Sequence, residues 1–353
     1  MTASPSPSPL LPRRELLIGD ATTRLRSLPD ASIDTVLTSP PYFRLRDYGI
    51  TGQLGLESSV DEWVTGLVAV LDELARVLVP TGTVWLNLGD SYSAHPRDGA
   101  ERKSLLLAPE KLAIALQANG WIIRNKIIWA KPNPMPSSVR DRLSCTYEVV
   151  YLLARHPTYF FDLDAIRQPH RSAAAASADA QSARKTREAW RGPNSNTAVG
   201  LDIVRRDGRV GHVLGKNPGD VWVIAPGSVR GSKHHAVFPE RLAARCIAAG
   251  CPEARCQTCR LPWRRDVIRR LGATAVRSAL HPTCQCEAPP EPGIVLDPFM
   301  GAGTTAVAAE TLKRDWLGIE LNPDFAAAAS ARIRTERQRR ANQQRAGPEP
   351  AAA

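Results

Sequence analysis

Two apolar runs, one near each end of the chain, stop at turns that few folds accommodate together. Ile33-Asp34-Thr35-Val36-Leu37-Thr38 leads into Ser39-Pro40-Pro41-Tyr42. Two prolines cannot continue a ladder, so the pattern predicts a strand that ends at Thr38. Ile294-Val295-Leu296 leads into Asp297-Pro298-Phe299-Met300-Gly301-Ala302-Gly303-Thr304-Thr305. There a strand gives way to a glycine turn and then to a helix opening on two threonines. Glycines let the backbone approach a ligand closely, and a helix N-terminus offers free N–H groups, which makes this a nucleotide-type binding turn. A dinucleotide fingerprint is not met, because no G-x-G-x-x-G is present here. Glu320 ends the next predicted strand, where a carboxylate can accept both hydroxyls of a ribose. An ordinary tight turn with a solvated Glu is the competing reading.

Strands and helices alternate between and beyond these turns. Strands are predicted over 16–20, 33–38, 83–88, 121–129, 148–154, 220–224, 294–296 and 316–320. Helices are predicted over 21–28, 60–79, 109–119, 239–249, 304–312 and from 324 to about 340, with Pro80-Thr81-Gly82 as a turn. Such alternation gives an α/β fold with a mostly parallel sheet covered on both faces. The pattern lapses from about 173 to 217, which is rich in Ala, Ser, Arg and Asn, and again through a cysteine-rich segment after 250.

The net charge of +11 favours an anionic partner, nucleic acid being the commonest. A basic protein that simply uses Arg for Lys is the alternative. No stretch is apolar enough to span a membrane, and the Ser/Pro-rich start lacks the apolar core of a secretory signal. Five of the seven cysteines fall between Cys251 and Cys286. Clustering of this kind reads as metal binding in a reducing cytoplasm rather than as a disulfide framework. Cys256-x₂-Cys259, 24 residues and Cys284-x-Cys286 form a plausible four-thiolate zinc site, structural because four protein ligands leave no open position. Cys251 and His281 are substitute ligands, and buried free cysteines are the competing reading.

Residues 297–305 resemble the S-adenosylmethionine-binding motif of the amino-group DNA methyltransferases, and residues 34–42 resemble their catalytic motif. The order, catalytic motif first, matches the permuted β group of that family. The resemblance covers most of 15–335, apart from 173–217 and the cysteine segment, and implies a Rossmann-like methyltransferase fold with a seven-stranded-type sheet. It implies cofactor contacts from Asp20, Asp297, Pro298, Phe299, Gly301, Gly303, Thr304, Thr305 and Glu320, and catalysis by Ser39, Pro40, Pro41 and Tyr42. Residues 76–89 and 129–161 resemble the elements around the target-base pocket, and 233–247 the segment that helps hold the methionine moiety. The implied organisation is a disordered leader over 1–14 and a catalytic part over 15–172. Residues 173–217 lie outside the resemblance and read, from their own composition, as a target-recognition insertion in which Arg184, Lys185, Arg187, Arg191, Arg205, Arg206 and Arg209 can hold phosphates and read base edges, a disordered linker being the competing reading. Residues 218–250 return to the methyltransferase domain, 251–290 form a zinc-ribbon-like insertion, 291–340 bind cofactor and 341–353 are a disordered tail.

An exocyclic amine on a base is a poor nucleophile, because its lone pair is delocalised into the ring. Ser39 Oγ and the Pro40 carbonyl are the acceptors expected to draw that nitrogen toward tetrahedral geometry, preorganised by the two prolines. Tyr42 is expected to stack on the base, which must be flipped out of double-stranded DNA. Phe43 and Trp129 read as core residues before second walls. In the family, Ser at the first motif position goes with cytosine N4 and Asp or Asn with adenine N6, so Ser39 favours cytosine. Cytosine C5 chemistry, which typically uses a Pro-Cys thiolate, is disfavoured because no Pro-Cys occurs. The alternatives are an adenine-N6 enzyme on the same fold and an inert zinc-containing DNA-binding regulator. A separately acting restriction endonuclease is a possible partner.

Overall fold

The computed structural model describes residues 11, 13–169, 212, 214–227, 238–268 and 276–346. In chain order the strands are β1 (Glu15–Ile18), β2 (Ile33–Thr38), β3 (Leu78–Leu88), β4 (Ile122–Ala130), β5 (Tyr147–Ala154), β6 (Val221–Val223), β7 (Arg255–Cys256), β8 (Val267–Ile268), β9 (Val276–Arg277), β10 (Pro290–Glu291), β11 (Ile294–Asp297) and β12 (Asp315–Glu320). The helices are α1 (Ala21–Arg26), α2 (Val60–Val77), α3 (Ala108–Ala118), α4 (Glu240–Gly250), α5 (Thr304–Thr311) and α6 (Pro323–Ala346).

Packing divides the chain into two units. One takes the described parts of 1–162, 220–264 and 281–353, the other those of 163–219 and 265–280. In the first unit eight strands form one sheet in the order β1-β12-β11-β2-β3-β5-β4-β6. All neighbours are parallel except β5, which is antiparallel to both β3 and β4. The α/β expectation is met, and the strand predicted over 220–224 is β6, which extends the seven-stranded-type sheet to eight at its edge. β2, β11 and β12 are buried along their whole length, as strands covered on both faces must be. α2 buries Trp63, Leu67, Val70, Leu71, Leu74 and Val77 along one stripe, and Ser59 caps it by accepting from the Glu62 N–H.

The second unit holds a short 3₁₀ turn at Leu163–Ala165, the Gln168–Lys216 bridge and the antiparallel pair β8–β9. Of the sequence-predicted recognition insertion, only 212 and 214–217 are among the described residues, and its arginines lie outside them.

Three sequence expectations need correction. Pro80-Thr81-Gly82 is not a turn between helix and strand. α2 ends at Val77 and β3 starts at once. Together with Val79 the three residues bulge out of the ladder, whose register skips from Ile33↔Leu78 to Thr35↔Thr83. A Cβ at Gly82 would lie 3.0 Å from the Val79 carbonyl and 3.1 Å from the Asp34 carbonyl, so the bulge leaves little room for a side chain. The last helix continues to Ala346, into the segment read as tail. Arg13 and Arg14, read as leader, both pair with the Asp315 carboxylate.

Candidate active site

β2 and β11 lie side by side and run the same way, so both turns leave the sheet at the same edge. They meet there although Thr38 and Asp297 are 259 residues apart. Ser39, Pro40, Pro41 and Tyr42 share the wall of one open cavity with Pro298, Phe299, Met300, Gly301, Ala302 and Thr304. Asp20 and Glu320, at the ends of the neighbouring strands, complete it. The cavity measures about 1030 Å³ with its solvent-filled mouth included.

Asp297 fastens the junction. Its Oδ1 accepts from Thr38 Oγ1 at 2.7 Å and from the Phe299 N–H at 3.1 Å, and its Oδ2 accepts from Thr305 Oγ1 at 2.6 Å. Burial pushes this carboxyl up to about 6, against the three hydrogen bonds that favour the ionised form. Asp297, Gly303 and Thr305 therefore stand behind the cavity wall rather than on it.

The Ser39 loop is held from two sides. Trp63 donates its indole N–H to the Pro41 carbonyl at 2.9 Å. Behind the loop, Tyr42 OH donates to Glu148 Oε2 at 2.7 Å. Burial, then the Glu148 charge, pushes the phenol well above its ordinary value, so it stays a donor. Asn87 Nδ2 has two protons, and its shortest contacts are Glu148 Oε2 at 2.7 Å and Tyr42 OH at 2.8 Å. The Ser39 hydroxyl then donates to Tyr42 OH at 3.0 Å, and beside a longer contact from Asn87 Nδ2 at 3.3 Å its oxygen keeps a lone pair to accept from the cavity side. Lys131 Nζ closes the set on Glu148 Oε1 at 2.5 Å. The Tyr42 ring lies against Gly89, where a Cβ would come within 2.6 Å of it. Trp63→Phe keeps the buried ring but orphans the Pro41 carbonyl. It is expected to destabilise the fold by about 1–3 kcal/mol and to slow turnover, as thermal unfolding and initial rates would show.

Glu320 organises the other half. Its Oε2 accepts from the Gly301 N–H at 2.8 Å and its Oε1 from the Asn322 N–H at 2.9 Å. Each oxygen keeps a lone pair for a ligand hydroxyl, and burial raises the carboxyl's pKa. Gly303 takes φ +77° as the cap of α5. Asp20 caps α1, accepting from both the Thr23 N–H and its hydroxyl at 2.8 Å.

Several residues of this site escaped the sequence reading. Asn87 is a lone polar residue in an apolar strand and Glu148 the acid of the 148–154 run, signals that were visible but unassigned. Tyr48 and Phe325 form an edge-on aromatic pair, ring centres 6.2 Å apart, on the cavity wall. Arg332 donates to the Ala302 carbonyl and to Thr304 Oγ1, both at 2.9 Å. Phe43 and Trp129 are 1% and 2% exposed and belong to the core. Of the segment read as holding the methionine moiety, 233–237 lie outside the described residues, while Phe238 reaches the cavity.

Cys256, Cys259, Cys284 and Cys286 come together, all four sulfurs within 4.8 Å of one another. Tetrahedral zinc thiolates, with Zn–S near 2.3 Å, need sulfurs about 3.8 Å apart, so small side-chain adjustments would seat an ion. Cys251 is buried at the end of α4, where its carbonyl accepts from Arg314, and is not part of the group.

The family profile described as DNA methylase (N6_N4_Mtase) matches residues 33–331. The type II methyltransferase M.SmaI of Serratia marcescens is 32% identical, over 90% of this chain and 90% of its own. M.XycI of Xanthomonas campestris pv. cyanopsidis is also 32% identical, over 93% and 90%. Among solved structures, PvuII DNA methyltransferase (cytosine-N4-specific) shares the fold, with a TM-score of 0.56, 18% identity and 93% of each chain covered. Among the described residues no helix is long and apolar enough to cross a membrane. With the two motifs joined at one cavity and these relatives matched over nearly their full lengths, the chain belongs to the N6/N4 DNA methylase family and is a DNA methyltransferase.

Proposed function

We propose that this enzyme moves a methyl group from S-adenosylmethionine to the exocyclic amine of a flipped base in double-stranded DNA, at cytosine N4. The observation that carries the reading is the shared cavity, which sets the Ser39 hydroxyl and the Glu320 carboxylate on one wall. The chemistry of that wall fits the cofactor. Glu320 offers acceptors for ribose hydroxyls, Tyr48 and Phe325 an aromatic surface for a purine, and Gly301 and Ala302 a backbone that a ligand can approach closely. Asp20 stands beside them with carboxylate oxygen to spare.

When bound, S-adenosylmethionine supplies an electrophilic methyl on a sulfonium. The chain supplies the rest. Ser39 Oγ accepts one amine N–H, and with the Pro40 carbonyl it turns the nitrogen lone pair toward the methyl. The chain Ser39–Tyr42–Glu148, fixed by Asn87 and Lys131, keeps that hydroxyl aimed. Tyr42 offers its ring to the flipped base. Ser39 at the first motif position supports cytosine N4, the base named for the PvuII enzyme. We further read the four-cysteine group as a structural zinc site and the enzyme as cytoplasmic, with a separately acting restriction endonuclease as its partner.

The test is methylation-resolved sequencing of DNA from cells expressing the enzyme, with a readout that separates N4-methylcytosine from N6-methyladenine. N4-methylcytosine at one recurrent sequence is expected. N6-methyladenine would replace the base assignment and keep the reaction, and DNA binding without cofactor binding would refute the enzyme reading.

A further inference from the structure

The two halves of the site hang from β2 and β11, and these strands pair over only two residues, Thr35↔Val295 and Val36↔Leu296. Each end of this short seam is tied by a buried carboxylate. At the site end it is Asp297, described above. At the far end it is Asp34, whose Oδ2 accepts from the Ile294 N–H at 2.7 Å and from Arg255 Nη1 at 2.8 Å.

Arg255 is 2% exposed and has three partners around the seam. Besides Asp34, Nη1 donates to the Ser32 carbonyl at 2.9 Å and Nε to Glu291 Oε1 at 2.8 Å. One guanidinium thus joins the start of β2 to β10, which runs almost directly into β11. The other Glu291 oxygen is taken by Arg13. Arg260 grips the same lead-in, donating to the carbonyls of Asp30 and Ala31.

Both arginines flank the Cys256–Cys259 turn. Arg255 immediately precedes Cys256, and Arg260 immediately follows Cys259. The scaffold beneath them is slight. β7 and β10 are two residues long and pair only as Arg255↔Glu291 and Cys256↔Pro290. Strands of that length are not stable alone. The four thiols bring the tips of this turn and the 284–286 turn together, beside two further ties, Gln257 N–H to the Pro289 carbonyl at 3.3 Å and Thr283 Oγ1 to the Pro262 carbonyl at 2.8 Å.

We propose that a thiophilic divalent ion held by Cys256, Cys259, Cys284 and Cys286 fixes Arg255, and that Arg255 sets the register of the seam that aligns the Ser39 loop with the Gly301 turn. Arg255 is then a positioning residue for methyl transfer, at the opposite end of β2 from Ser39, and metal occupancy tunes the reaction without touching a reactant. This rests on the reading of the cysteines as a metal site.

The experiment uses the full chain, with Zn²⁺ removed by a chelator and then restored, and the same steps on Arg255→Lys. Metal content, the rate of methyl transfer at saturating DNA and cofactor, and cofactor affinity are measured at each stage. Stripping the wild type is expected to lower the rate by about 10-fold to 100-fold, with recovery on Zn²⁺. Arg255→Lys should keep its metal yet show a loss of the same order, and stripping it should cost no more than about another twofold, because both changes break one link. Equal fold-losses on stripping in the wild type and the variant would overturn the coupling. A stripped wild type with an unchanged rate would overturn it too, while leaving the metal site standing. Protein that neither carries nor binds Zn²⁺ would overturn the site itself. Should the stripped chain lose stability, amide exchange of 33–38 and 294–297 well below the unfolding temperature decides. Faster exchange in both segments on metal loss is expected, and unchanged exchange refutes the proposal.

Discussion

Ser39→Ala is expected to lower the turnover of methyl transfer by about 10²-fold to 10³-fold, the usual effect of removing one preorganised polar group from a site of developing charge. Cofactor affinity should hardly move. The hydroxyl is placed by its own donation to Tyr42 OH, and Tyr42 is in turn held by Glu148 and Asn87. Removing the serine oxygen leaves those three groups satisfied by one another, so the loop should keep its shape. Trp63 still holds the Pro41 carbonyl. What disappears is the acceptor that the amine needs while its lone pair is being freed. Single-turnover rates alongside a cofactor titration check this. Parallel loss of rate and affinity would mean that Ser39 supports the loop rather than the reaction. Ser39→Thr, which keeps the hydroxyl, should retain much more activity than the alanine variant.

The two turns were legible because Pro40-Pro41 and Gly301-x-Gly303 each break a strand in a way that few other residues do. Glu320 and the cysteine set were legible for a similar reason, since position at a strand end and spacing in the chain carried the signal. What stayed hidden depends on pairing between distant segments. Glu148 reaches Tyr42 only because β5 turns back antiparallel between β3 and β4, which sets Asn87 opposite Val150. Nothing in a buried run of apolar residues announces its direction. Asp297 looked like a ligand contact because its partners Thr38 and Thr305 belong to separate elements. Once they are in place, its oxygens are committed to the seam. Arg332 gave no signal in the sequence because its partners are a carbonyl and a hydroxyl on the glycine turn rather than an acid nearby in the chain. Pro80 to Gly82 misled for the opposite reason. Their local turn chemistry is real, but β3 absorbs it as a bulge.

Gly303→Val is expected to fail in a different way from Ser39→Ala, weakening the cofactor by about 10-fold to 100-fold, or about 1.4–2.8 kcal/mol. Gly303 sits at φ +77°, and its absent side chain faces α6 rather than the cavity. A Cβ there would lie 3.3 Å from both Ala329 Cβ and Ile333 Cδ1. Holding a non-glycine residue in left-handed backbone costs about 1–2 kcal/mol before any contact is counted, and β-branching adds to it. The remaining strain pushes α6 outward. That helix carries Arg332, which clasps the turn through Ala302 and Thr304, so displacement of the helix drags the cofactor wall with it. The Ser39 loop hangs from β2 and is not pushed. Saturating cofactor should therefore restore most of the turnover in the Gly303 variant and none in the Ser39 variant, and Gly303→Ala should fall between valine and wild type in affinity. A cofactor titration, with rates measured at saturation, separates the two. If saturation fails to restore the rate of Gly303→Val, the turn and the loop are mechanically linked through Asp297, and the two halves of the site act as one body.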